Sequence, residues 1–192
     1  METRNSNGLG QFCSSLEERE GLSVLDLAGL NQQTVSFITN QGHRLYSDDF
    51  LLQLDQCFGK GNFYQDQTDP KLMDKFLKAT LDFPDQSFDG ALVWDVLEYL
   101  APPLLSAVVS KLYRILRPGS CLLAVFHAEE REAVTAYSYR IFDQRNIQMA
   151  VRGERRPAQF FNNRSLERLF QDFDSVKFFL TRDHLREVIV RR

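Results

Sequence analysis

Chemistry-bearing side chains gather in this chain at the ends of short apolar runs. His127 follows Cys121-Leu122-Leu123-Ala124-Val125-Phe126, and Asp26 lies within Val24-Leu25-Asp26-Leu27, just before Ala28-Gly29-Leu30-Asn31. Asp48 and Asp49 follow His43-Arg44-Leu45-Tyr46, Asp66 and Gln67 close Gly61-Asn62-Phe63-Tyr64-Gln65, and Asp95 follows Phe88-Asp89-Gly90-Ala91-Leu92-Val93-Trp94. A histidine with a reference pKa of about 6.5 is suited to moving a proton near neutral pH, which makes His127 a candidate base. Metal chemistry is not expected, because Cys13, Cys57 and Cys121 are 44 and 64 residues apart and no histidine stands at ligand spacing from them. Three free thiols are the expectation.

The elements that must position these groups alternate. Residues 24–27 read as a buried strand entering a turn, and Asn31 can cap a following helix whose inner face carries Val35 and Ile38. A second strand over 43–46 and a helix from Phe50 to about Phe58 come next. Residues 61–66 read as a third strand, and Asp69-Pro70 starts a helix with an apolar stripe of Leu72, Met73, Phe76 and Leu77. Residues 88–94 form a strongly apolar fourth strand, and Pro102-Pro103 opens a long helix that Arg117-Pro118-Gly119 ends. Residues 121–126 make a fifth strand. From Val176 the pattern changes to a hairpin, 176–180 and 185–190, with a turn through Thr181-Arg182-Asp183-His184. The expected architecture is a three-layer Rossmann-like α/β sandwich: a mostly parallel seven-stranded sheet ending in an antiparallel hairpin. In such a sheet ligands bind beyond the carboxyl ends of the strands, which is where 26–31, Asp48, Asp49, Asp66, 94–98 and His127 fall.

The run Phe88-Asp89-Gly90-Ala91-Leu92-Val93-Trp94-Asp95-Val96-Leu97-Glu98-Tyr99-Leu100, followed by Leu116-Arg117-Pro118-Gly119, resembles the "FDxVxxxdvLeHl … LkPGG" signature of the class I S-adenosylmethionine-dependent methyltransferases. Leu81-Asp82-Phe83-Pro84-Asp85-Gln86-Ser87 is similar to the family's lead-in to it. The resemblance implies S-adenosylmethionine as cofactor, with Asp26, Ala28, Gly29 and Asn31 at its amino-acid end. It implies Asp49 or Asp48 at the ribose hydroxyls, Asp66 with Gln67 at the adenine, and Trp94 and Asp95 near the transfer centre. Tyr99 stands where the family often has histidine and can hydrogen-bond, but with a reference pKa of about 10 it is a poor base. The first turn departs from the family's D-x-G-x-G-x-G: aligned on Asp26, the glycine places hold Ala28, Leu30 and Gln32, and Gly29 falls between them. Leu30 is expected to fill space the methionine end would need. Two functions follow: methyl transfer to a small-molecule acceptor, or a methyltransferase-fold protein without activity that binds a partner or another ligand.

Residues 1–21 read as a polar N-terminal segment with a short helix, and 22–192 as a single domain with a lid-like insert at 128–162. Tyr137, Arg140 and Arg155 in the insert can hold a planar or anionic acceptor by stacking and two-pronged contacts, or can pack on the sheet edge. Residues 1–100 carry 7 basic and 16 acidic side chains, net −9, and residues 101–192 carry 16 and 10, net +6. With basic and acidic groups interleaved and a net charge of −3, nucleic acid is not an expected partner. The longest uncharged apolar run, 99–110, has two prolines and is too short for a membrane span, and with a polar start and no apolar core no secretory signal is expected. A cytoplasmic location is expected; nothing in the sequence sets the oligomeric state.

Overall fold

Alternate residues along the central strands send their side chains to opposite faces, and here both faces are apolar. Leu25, Ala91, Val93, Leu122, Ala124 and Phe126 face one core, while Val24, Leu92, Trp94, Cys121, Leu123 and Val125 face another. A computed structural model describes residues 2–17, 19–181 and 184–192. The strands that carry these residues are β2 (Ser23–Asp26), β4 (Phe88–Trp94) and β5 (Leu116–His127), joined by β3 (Arg44–Ser47), β8 (Ser175–Leu180) and β9 (Leu185–Arg191). Their order is β3-β2-β4-β5-β9-β8; the first four are mutually parallel, and β9 is antiparallel to both its neighbours. Two residues of the expected turn between β8 and β9, Arg182 and Asp183, lie outside the described residues.

The main sheet has six strands where seven were expected. The missing one is the third. Residues 61–66 instead contain the short helix α4 (Phe63–Asp66), because Asn62 caps it by accepting the Gln65 amide at 3.2 Å. A side chain that satisfies a backbone donor locally offers the chain an alternative to a sheet edge.

One face of the sheet is covered by α3 (Phe50–Phe58), α5 (Pro70–Thr80), α6 (Pro102–Ile115) and α7 (Asn163–Leu169). The other is covered by α1 (Asn7–Ser14), α2 (Gln32–Asn40) and a second antiparallel sheet of order β1-β7-β6, built from β1 (Glu2–Asn5), β6 (Val134–Ile141) and β7 (Asn146–Arg155). The segment 128–162 is therefore largely a β-hairpin whose Tyr139, Ile141, Ile147 and Met149 are buried with Leu9, Phe12 and Leu16. The N-terminal residues belong to the same packing: Glu2–Asn5 pair with β7, and the buried Glu187 carboxylate of β9 accepts the Gly8 amide at 2.7 Å and pairs with Arg4. Gly90, in the middle of β4, leaves the space that the Phe12 ring enters, since a Cβ there would meet that ring at 2.9 Å. Among the described residues no helix is long and apolar enough to cross a membrane.

The first helix is thus a core element. Phe12→Ala is expected to destabilise the protein by about 3–5 kcal/mol in urea unfolding, the usual cost of emptying a buried aromatic site; a loss under 1 kcal/mol would show that α1 is not packed as described.

Candidate functional site

At the carboxyl end of β2, the Asp26 carboxylate is buried, and its Oδ1 accepts the Trp94 indole Nε1–H at 2.7 Å and the Ala28 amide at 3.1 Å. Burial pushes its pKa up to about 6, although both hydrogen bonds pull the other way. Trp94, the last residue of β4, sits at φ 58°, a backbone conformation uncommon for a bulky residue. Its indole lies flat against the Tyr139 ring of β6, centroids 4.7 Å apart and planes within 8°. The hairpin is tied down beside it: Asn31 caps α2 through the Thr34 amide (2.8 Å) and donates to the Tyr139 carbonyl (3.5 Å), while the Thr34 hydroxyl accepts the Ile141 amide (3.0 Å).

The turn after β2 closes onto the turn after β3. The Gly29 amide donates to the Asp48 carbonyl at 3.0 Å, and Ala28 forms a β-bridge with Asp49. Gly29 has φ +90°, and a Cβ there would come within 3.2 Å of the Asp49 side chain, which is why glycine stands at this one position of the turn. Asp49 caps α3 by accepting the Leu52 amide (3.0 Å) and holds both arms of the Arg152 guanidinium, at 2.8 and 3.0 Å. Asp48, partly buried, has its pKa raised by burial. Asp66 ends α4, and the buried Gln67 side chain accepts the Ala101 amide (2.7 Å) and donates to the Tyr99 carbonyl (3.2 Å), bracing the entry to α6.

A second cluster lies at the ends of β4 and β5. A single 3-10 turn, Val96–Tyr99, carries the buried Glu98, whose carboxylate takes the His127 amide at 2.5 Å and its Nδ1 at 2.7 Å. Burial pulls the His127 pKa down, but the Glu98 hydrogen bond and charge outweigh it and the net shift is upward. Asp95, also buried, accepts the Tyr137 amide at 3.3 Å; burial and the Glu98 charge raise its pKa to about 7. Burial pushes the Tyr99 hydroxyl far above its ordinary value, so Tyr99 is no base. His127 lines two cavities, one of about 390 Å³ with Glu98, Glu130, Glu132, Arg156 and Phe160, the other of about 200 Å³ with Tyr137, Glu154 and His184.

Residues 25–124, just over half of the chain, match the family model described as a methyltransferase domain. The chain belongs to this family. No curated protein sequence matches it. Among solved structures it is similar to a S-adenosylmethionine-dependent methyltransferase from Archaeoglobus fulgidus, with a TM-score of 0.56 and 13% identity over 96% of this chain and 91% of that one. One from Methanosarcina mazei gives a TM-score of 0.51 and 18% identity over 91% and 93%. The Burkholderia thailandensis 1,6-didemethyltoxoflavin-N1-methyltransferase, with bound 1,6-didemethyltoxoflavin and S-adenosylhomocysteine, gives 0.54 and 12% over 96% and 76%. At these identities the likeness is one of fold, the class I methyltransferase fold.

In this methyltransferase several of the residues expected at the cofactor are engaged with other parts of the protein. Asp26 is bonded to Trp94, Asp49 to Arg152, and Gln67 to the backbone at Tyr99 and Ala101. Tyr139 lies on Trp94. None of the five cavities described, from about 200 to 750 Å³, is lined by Asp26, Ala28, Gly29, Asn31, Asp48, Asp49, Asp66, Gln67, Trp94 or Asp95. Leu30, expected to fill space that the methionine end would need, has a side chain that is 79% exposed. Of the three residues expected at the acceptor, Tyr137 reaches a His127 cavity, Arg140 lines none, and Arg155 pairs with Asp55 of α3 and lies 5.7 Å over the Tyr99 ring. Sequence reasoning placed Glu98 among the strand-end residues without pairing it to His127, and did not foresee the Arg152–Asp49 pair or the stacking of Tyr139 on Trp94. For Glu98 a signal was available, an acid three residues from Asp95 and so on the same side of one helical turn.

With Glu98→Gln, His127 loses the hydrogen bond and charge that most raise its pKa, leaving burial against the Asp95 charge, so the ring's pKa, read by NMR, should fall. Because the wild-type folded value is raised, protonated His127 stabilises the fold below its unfolded pKa of about 6.5, and that contribution fades as pH rises through the folded value. E98Q should remove this part of the pH dependence; an unchanged His127 titration would contradict the pairing.

Proposed function

We propose that this methyltransferase acts on a small-molecule acceptor held in the His127 cavity, with S-adenosylmethionine as the methyl donor. The observation that carries the proposal is the buried Glu98–His127 pair at the carboxyl end of the sheet, opening on a cavity of about 390 Å³. A buried carboxylate is costly unless it has such a partner, so its retention beside a cavity points to chemistry. S-adenosylmethionine, when bound, supplies an electrophilic methyl group on a positively charged sulfur. The chain's own part is on the acceptor side. Glu98 accepts the hydrogen bond of Nδ1–H, fixing the imidazole in the tautomer whose Nε2 is basic, and it stabilises the imidazolium formed when Nε2 takes the proton of an acceptor O–H or N–H. Arg152 and Arg155, engaged with Asp49 and Asp55, are not available as a phosphate-binding stripe, which supports a small acceptor over nucleic acid. The unpaired Cys13, Cys57 and Cys121 agree with a reducing, cytoplasmic setting.

The crevice filled by Trp94 and Tyr139 favours a second reading, a domain that binds its ligand in the His127 cavity without transferring a methyl group. Incubation with methyl-labelled S-adenosylmethionine and a panel of small phenols, amines and thiols separates the two. Label in a low-mass product, reduced about 10²- to 10⁴-fold by His127→Ala, supports transfer; no label from any acceptor, with panel members still bound by the folded protein, supports the second reading.

A further inference from the structure

The second sheet carries an irregularity where it meets the crevice. Along the β6–β7 ladder Tyr137 pairs with Val151 and Ala136 with Gly153, so Arg152 is an extra residue in β7, followed by Gly153 at φ 147°, a conformation open to glycine. A bulge of this kind re-aims a side chain, and here the re-aimed side chain is Arg152, whose two arms meet the Asp49 carboxylate. Around that ion pair the chain exposes large apolar side chains. Leu30, next to the glycine packed on Asp49, is 79% exposed; Val151, next to Arg152, is 71% exposed.

Deeper in, three polar atoms are buried without a hydrogen-bond partner: the Tyr139 hydroxyl, the Tyr99 hydroxyl and Oδ1 of Asp95. Interiors leave few such atoms, and a bound water, a ligand or another arrangement of the chain can partner each. All three belong to the aromatic and acidic group at the end of β4 beneath β6, the group into which Tyr139 is inserted.

We infer that Tyr139 and Arg152 form a plug that competes with the cofactor for this crevice. Tyr139 occupies the face of Trp94, and Arg152 takes the carboxylate that would receive the ribose hydroxyls. S-adenosylmethionine or its product therefore binds only the fraction of molecules in which both side chains have moved off, and its apparent affinity is lowered by that fraction. This rests on the reading of S-adenosylmethionine as the donor. The pair is partly exposed, 27% for Arg152 and 29% for Asp49, so its release is accessible, whereas Tyr139 is buried beside Ile141, Ile147 and Met149 and moves only by opening part of that packing.

The chain has one tryptophan, so Trp94 emission reports the plug directly. Calorimetric titration of wild type, Arg152→Ala and Tyr139→Ser with S-adenosylhomocysteine should show binding tightened about three- to fivefold by R152A, the factor set by an ion pair of this exposure, and about tenfold or more by Y139S. In wild type, Trp94 emission should move to longer wavelength as the ligand displaces Tyr139. If Y139S does not fold, R152A and the emission shift carry the test. Equal affinity of wild type and R152A, or binding without an emission shift, would overturn the plug while leaving the donor assignment standing. No binding by any folded variant at millimolar ligand would overturn both.

Discussion

The hydrogen bond from the Trp94 indole to Asp26, with Tyr139 stacked on the indole's other side, is the constraint on which the rest of this structure depends. It joins the ends of the two central strands, β2 and β4, to the added β6–β7 hairpin, and through the hairpin to the first residues of the chain. A carboxylate that has lost its water needs a donor, and the indole N–H is that donor. Away from this stack, two cavities open beside His127, which ends β5.

The uneven charge of the two halves of the chain takes on a physical meaning in this arrangement. Basic residues of the second half cross to acids of the first: Arg152 to Asp49, Arg155 to Asp55, Arg114 to Asp85 and Arg117 to Asp89. Most of these pairs are partly exposed and contribute little to stability individually. Their effect is positional, since the first two lay β7 across α3. Among the Lys, Arg, Asp and Glu side chains lining the cavity beside His127, carboxylates outnumber the basic groups, Glu98, Glu129, Glu130 and Glu132 against Arg131 and Arg156.

The parts legible in the sequence are those fixed by local patterning. The apolar run 88–94 is β4 residue for residue, Asp69-Pro70 starts α5, Asn31 caps α2, and His127 ends β5. The third strand was misread because Asn62 settles its backbone locally, a choice that an extended-looking run of Phe63 and Tyr64 conceals. The second sheet was illegible for the opposite reason: Glu2–Asn5 become a strand only through pairing with Asn146–Met149, a partner more than 140 residues away, and none of residues 150–155 is buried to mark an inward face. The stack of Tyr139 on Trp94 and the Arg152–Asp49 pair bring β6 and β7 to the ends of β4 and β3, long-range contacts that no local pattern reveals.

The most direct measurement is the indole N–H resonance of the single tryptophan in an NMR spectrum of the free protein, followed with pH. The account has this proton buried and bonded to Asp26, whose pKa is raised to about 6. It should therefore exchange slowly with water, and its shift should titrate with a midpoint near pH 6 that Asp26→Asn abolishes. Rapid exchange with solvent and a shift indifferent to pH would mean that Trp94 does not fill the crevice.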